Sequence, residues 1–188
     1  MIAALFVDSK GCYSGLPDVE IWDERLDART YRGPWSVVAH PPCARWGVMA
    51  EAAFGKRYGK LGDDGGCFAS ALESVRRWGG VIEHPANSRA FTAFSLPTPQ
   101  RNGGWASGIN GGWSASVEQG HYGHRTRKRT WLYVRGVNAE DLPSLISGPS
   151  CPIGYTPSAR KGEAFTRLSK RQRSATPPAF RDLLLSIA

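Results

Sequence analysis

Ser36-Val37-Val38-Ala39-His40-Pro41-Pro42-Cys43-Ala44-Arg45-Trp46 is the stretch that decides the fold. Residues 36–39 form a short apolar run with two β-branched members, the composition of a buried strand. The run meets two prolines, which cannot continue a ladder and force an extended turn. Gly80-Val81-Ile82-Glu83-His84-Pro85 repeats the pattern, with a strand expected over 81–83 and a break at His84-Pro85. Between them, 63–78 carries Phe68, Leu72 and Val75 at helical spacing. Asp63 and Asp64 stand where the dipole of such a helix favours negative charge, and Gly79-Gly80 end it. Strand, helix and strand in this order are the unit of a parallel sheet. In such sheets the working residues gather at the carboxyl ends of the strands.

Outward from this core, 3–7 reads as a first buried strand and 18–23 as a second, separated by the turn-rich 9–17. A loop with one helical turn is expected over 24–35, and partial helix over 44–60. The Gly-rich 100–113 reads as turns, with Trp105 and Trp113 as stacking groups in a mobile loop. Strands are expected at 114–119 and 130–135, with Trp78 and Trp131 in the core. Residues 136–162 read as irregular. A last helix is expected over 179–187, after Thr176-Pro177-Pro178. The whole predicts one α/β domain over 1–188: a Rossmann-like, mainly parallel open sheet with flanking helices.

The 188 residues are enough for a normal core, and 41% are apolar, which excludes global disorder. The formal net charge of +8 points to a polyanion partner. No stretch approaches the roughly 20 apolar residues of a membrane span, and the first residues lack a basic leader. A cytoplasmic protein with no membrane partner is expected. The four cysteines, Cys12, Cys43, Cys67 and Cys151, lack paired spacing and read as free thiols. His40 with Cys43, and His121 with His124, have a ligand-like spacing. However, Pro41-Pro42 stiffens the first pair and no CxxC accompanies either, so no metal is expected.

Three segments carry chemistry. Cys43, on a stiff loop after a strand, is placed to attack a ligand above the sheet, and His40 and Arg45 are expected to lower its thiol pKa. Glu83, at a strand end, is a candidate acid or hydrogen-bond partner for a base ring. Arg125, Arg127 and Arg129 alternate, which on an extended segment would put their guanidinium groups on one face.

In this order the segments resemble the motifs of the cytosine C5 DNA methyltransferase family. Pro42-Cys43 matches its nucleophile loop. Glu83 matches its Glu-Asn-Val segment at the Glu alone. Arg125-Thr126-Arg127-Lys128-Arg129 matches its Gln-x-Arg-x-Arg segment with Arg in place of Gln, and Ala175-Thr176-Pro177-Pro178-Ala179 is more loosely similar to its closing segment. The resemblance implies a reduced methyltransferase-like fold, similar to a short phage or prophage member. It implies a pyrimidine C5-modifying transferase acting on a base flipped from DNA through a covalent Cys43 adduct. Cys43, Glu83 and Arg127 would be catalytic. His40, Arg45, His84, Arg125, Arg129, Lys170, Arg171 and Arg173 would contact substrate or DNA. S-adenosylmethionine is the implied cofactor, with Asp8, Gly11 and Asp23 as the residues toward it.

The chain departs from that pattern at two places. The family's Phe-x-Gly-x-Gly loop is missing, since Asp8 to Leu16 holds only Gly11 and Gly15. The irregular segment 136–162 stands where the family inserts a target-recognition domain, so sequence-specific reading of DNA would be weak, supplied by a protein partner, or absent. Two alternatives stay open: an inactive relative that binds nucleic acid, and an enzyme acting on free pyrimidine nucleotides.

Overall fold

In a computed structural model, residues 1–47, 50, 59–100, 103–109, 111–146, 148–150 and 168–188 are described, the Lys170 side chain excepted. The helix expected within 44–60 therefore lies largely outside the described residues. So do Cys151 and most of the second half of 136–162.

One mixed sheet holds seven strands in the order β2-β1-β3-β4-β7-β6-β5. These are β1 (Ile2–Leu5), β2 (Val19–Trp22), β3 (Ser36–Ala39), β4 (Gly80–Pro85), β5 (Trp105–Ser107), β6 (Trp113–Glu118) and β7 (Arg129–Arg135). β2, β1, β3 and β4 run parallel to their neighbours. β7 is antiparallel to both β4 and β6, and β5 is antiparallel to β6. The expectation of a mainly parallel sheet thus holds only for the first four strands. The reason lies in the connections. Segments 108–112 and 119–128 are too short for a helical crossover, so they can join only antiparallel neighbours. The turns expected over 100–113 give way to β5 for the same reason. The indoles of Trp105 and Trp113 donate to the Pro143 and Val137 carbonyls at 3.0 and 3.2 Å, which anchors them in strands and not in a mobile loop.

Period-two alternation sorts the strand residues onto two faces. Ala3, Leu5, Val37, Ala39, Ile82 and Tyr133 face the helix α1 (Cys67–Trp78), where they meet Phe68, Leu72 and Val75. Ala4, Val38, Val81, Leu132 and Val134 face the helix α4 (Pro178–Ile187), where they meet Phe180, Leu184 and Ile187. The short helices α2 (Arg89–Ala93) and α3 (Lys170–Ser174) lie between these in the chain. Trp78 and Trp131 pack, partly buried, against the α1-side core.

Helix α1 begins later than the charge pattern suggested. Asp63 and Asp64 precede it, and Asp64 acts as a bracket: its carboxylate accepts from the Gly66 and Phe68 amides at 3.0 and 2.8 Å and from the Trp46 indole at 2.7 Å. The loop after β3 is thereby tied to the start of α1. Gly80 has a φ of +112°, and a Cβ there would fall on the Val37 carbonyl oxygen, so only glycine lets β3 and β4 meet in this register. No described helix is long and apolar enough to cross a membrane.

Candidate active-site cleft

β1 lies between β2 and β3, so the chain reverses its direction of travel across the sheet there. In open α/β sheets such a reversal opens a crevice at the carboxyl ends of the strands. His40 follows β3 directly, while β4 runs past Glu83 to Pro85. Glu83 is therefore inside a strand, opposite Leu132, and not at its end. It shares the α4 side of the sheet with Val81, and there the loop after β1 brings Tyr13 to meet it.

These residues form a continuous hydrogen-bonded chain. The Tyr13 hydroxyl lies 2.8 Å from His40 Nε2, and His40 Nδ1 lies 3.0 Å from Glu83 Oε2. Gln119 Nε2 donates to Glu83 Oε1 at 3.2 Å and to Thr130 Oγ1 at 2.9 Å. Gln119 is fully buried, and its Oε1 has no hydrogen-bond partner among the described residues. Burial of Glu83 favours its neutral form, but the His40 hydrogen bond and charge, with help from Lys128, outweigh this and hold the carboxyl below its ordinary value. Burial raises the Tyr13 phenol, which stays neutral.

Cys43 is exposed at the rim of this cleft. Withdrawal of its sulfur from bulk water and the Glu83 charge push its thiol up, and Lys128 opposes them. The expectation that His40 and Arg45 activate the thiol is corrected here. His40 is engaged by Tyr13 and Glu83, and Arg45 turns to the Lys60 and Gly59 carbonyls. Among the described residues, the cation within electrostatic reach of Cys43 is Lys128. Its ammonium donates to the Ser174 and Ala175 carbonyls at 3.2 and 2.9 Å, just before α4, and it also feels Glu83 and Cys12. Lys128 has a φ of +34°, a conformation that side chains other than glycine rarely hold and that clusters at functional sites.

That backbone kink also dissolves the expected row of arginines. Arg125 and Arg129 are exposed, but Arg127 turns aside and binds Glu118 with Nε at 3.1 and 2.9 Å and Nη2 at 2.5 Å. Glu118 accepts in addition from the amide and hydroxyl of Ser150 at 2.7 and 2.9 Å. Burial would raise the Glu118 carboxyl, but the Arg127 and Ser150 hydrogen bonds bring it down to about 2. Arg127 thus serves a carboxylate of its own hairpin. His84, also expected at the substrate, faces the other side of the sheet, where it is buried against the Phe68 ring and bonded to Ser88 Oγ at 2.7 Å. Burial lowers its pKa to about 4.

The fold does bring the two basic runs together. His124 lies against the backbone of Gln172 and Arg173, and Lys128 holds the end of α3. Arg125, Arg129, Arg171 and Arg173 are exposed along this edge of the cleft.

The chain matches no family model and none of the curated proteins.

Asp8 and Asp23 share a separate depression with Val7, Ser9, Glu24 and Arg25, beyond the ends of β1 and β2. Such an acidic pair suits ribose hydroxyls. Among the described residues, the methionine half of S-adenosylmethionine has no matching cradle. In the loop after β1, the amides of Gly11, Ser14 and Leu16 bond to the carbonyls of Asp8, Gly11 and Tyr13, and no helix opens there to receive a carboxylate. A Cβ on Gly11 would crowd the Asp8 carbonyl, so this glycine serves its own turn. The described residues therefore fit a nucleoside better than the whole cofactor.

Sequence reasoning missed Tyr13, Gln119 and Lys128. Gln119 and Lys128 flank the segment 120–127, but in sequence Lys128 was hidden among arginines. Tyr13 stood in a stretch read only for its glycines.

Proposed function

We propose that this protein is a pyrimidine C5-modifying transferase acting on DNA, on a reduced, Rossmann-like methyltransferase scaffold. The observation that carries this reading is that Cys43, on the loop after β3, lies within electrostatic reach of Glu83 on the adjacent parallel strand β4, with exposed arginines on the neighbouring segments. A pyrimidine ring is a poor carbon nucleophile. Addition of the Cys43 thiolate to C6 turns it into an enamine whose C5 attacks an electrophilic carbon. Loss of the C5 proton then restores the ring and expels the thiolate. Glu83 contacts N3 and the exocyclic amine, and Gln119, which donates to Glu83 Oε1, orients the carboxylate for this. The arginine edge holds the phosphates of the strand from which the base is flipped.

Cys43 and Glu83 oppose each other's negative charge. A base that carries a proton at N3 neutralises Glu83 and so favours the thiolate at the moment it is needed.

One observation favours a second reading, a relative that only binds nucleic acid: the thiol is pushed up and not down. Mass spectrometry of nucleosides from cells expressing the wild type or Cys43→Ser separates the two. A modified pyrimidine found only with the wild type establishes the transferase, and its mass names the group transferred. Identical nucleosides in both strains favour the binding reading. Competition by dCMP but not by duplex DNA would move the substrate to free nucleotides.

A further inference from the structure

The Tyr13–His40–Glu83 chain has a property that its geometry alone dictates. An ionised carboxylate only accepts hydrogen bonds, so His40 Nδ1, 3.0 Å from Glu83 Oε2, carries a proton. In neutral His40 the Nε2 lone pair then accepts from the Tyr13 hydroxyl at 2.8 Å. In imidazolium, Nε2 donates instead and the Tyr13 oxygen accepts. Tyr13 satisfies His40 in both charge states without moving, and Tyr13 itself is buried, at 2% exposure. This is the arrangement of a group built to gain and lose a proton in place.

We propose that His40, held by Tyr13, is the proton reservoir of the cleft, delivering through Glu83 the proton that the pyrimidine's N3 takes up when the Cys43 thiolate adds to C6. This rests on the reading of the site given above. In the step, the sulfur–C6 bond forms and the C5=C6 π pair moves into the ring toward N3. The proton on His40 Nδ1 passes to Glu83 and from there to N3. His40 is left neutral with its proton on Nε2, facing the Tyr13 oxygen. When the C5 proton leaves to solvent and the C6–S bond breaks, the N3 proton returns by the same path, so His40 is restored. His40 is a positioning and proton-supplying residue that acts through Glu83. Among the described residues, the titratable groups around it are Glu83 and His84 from β4 and Tyr13 from the loop after β1, with Arg181 and Asp182 of α4 acting on Tyr13 and Cys43 acting through Glu83. Lys128 and Cys12 reach it indirectly, through their effect on Glu83 and Cys43.

Two measurements test this. The first is the rate at which the wild type, His40→Gln, Tyr13→Phe and Glu83→Gln form a covalent adduct with DNA carrying a 2-pyrimidinone base. This trap needs addition and N3 protonation but no donor. The side-chain amide in His40→Gln can still donate to Glu83 and hold it in place, so a purely structural role predicts a wild-type pH profile. The proposal predicts a loss of at least about 100-fold. It also predicts that the fall in rate at high pH, present in the wild type, disappears. A wild-type profile in His40→Gln overturns it. The second is ¹⁵N NMR of His40 across pH. Neutral His40 is expected as the Nδ1–H tautomer in the wild type and as a mixture in Glu83→Gln. In the wild type without substrate, a neutral Nε2–H form overturns the relay on its own. No adduct with any variant, wild type included, counts against the pyrimidine reading, and the NMR result then decides the relay separately.

Discussion

Lys128 shows how much one side chain can carry at the residue scale. Its ammonium is fixed by two carbonyls ahead of α4 and lies within electrostatic reach of Cys43 and Glu83. Replacing it by Met removes the cation that opposes the upward push on the thiol. The apparent pKa of Cys43, read from peptide-resolved iodoacetamide labelling across pH, should rise further, and Lys128→Arg should restore most of the change. An unchanged profile in Lys128→Met would place the cation outside the site. His84 makes the opposite case, a histidine whose value lies in staying neutral. Its folded pKa of about 4 lies below the ordinary value of 6.5. The unfolded chain therefore binds a proton first as pH falls. The stability His84 contributes is whole above about 6.5 and is lost on the way down to about 4, with a slope approaching ~1.4 kcal/mol per pH unit at most. Urea unfolding between these pH values should show that slope in the wild type and a flatter one in His84→Phe. The sequence exposed Cys43 and Glu83 because each ends or follows an apolar run. It could not expose the partners of the arginines, because an Arg in a charge run looks the same whether it faces phosphate or, like Arg127, a buried carboxylate.

Elements explain why this site needs a C-terminal helix at all. α4 covers the same face of the sheet that carries Val81 and Glu83, and Arg181 from it donates to the Cys12 carbonyl at 2.8 Å, next to Tyr13. Phe180 is fully buried and meets the Tyr122 ring at a 5.5 Å centroid distance. Phe180→Ala should cost about 3–5 kcal/mol, measured by urea unfolding followed through tryptophan fluorescence. A much smaller effect would mean that α4 is a loose cover. α1, α4 and the first four strands were legible because their periods are strong and their ends are marked by Gly or Pro, whereas the five-residue helices α2 and α3 are too short to show a period. β5 was not, because its three residues sit among glycines that speak only for turns. The direction of β7 was hidden for another reason. An antiparallel and a parallel strand of the same composition differ only in the length of the connection that precedes them.

The whole molecule is polar in its charge as well as in its layout. Exposed Arg125, Arg129, Arg171 and Arg173 collect along one edge, although the sequence places them in two runs far apart. If this edge meets phosphates, the logarithm of DNA affinity should fall linearly with the logarithm of salt concentration. Changing all four residues to Gln should flatten that slope by about 1 for each phosphate no longer neutralised. A slope that stays the same, measured by fluorescence anisotropy over a salt series, would put the DNA elsewhere. The reversal at β7 has a consequence of its own. Because β6 runs parallel to β4, it ends, and β7 begins, at the rim where β1, β3 and β4 finish. Segment 119–128 therefore crosses the cleft edge with one 3-10 turn, Gln119–Tyr122, and no α-helix. The candidate site thus sits on one shore of the sheet. At the opposite shore Gly79 lies against Gly136. On the reading proposed above, that far shore is the natural mooring point for whatever would tell the protein which stretch of polymer to visit.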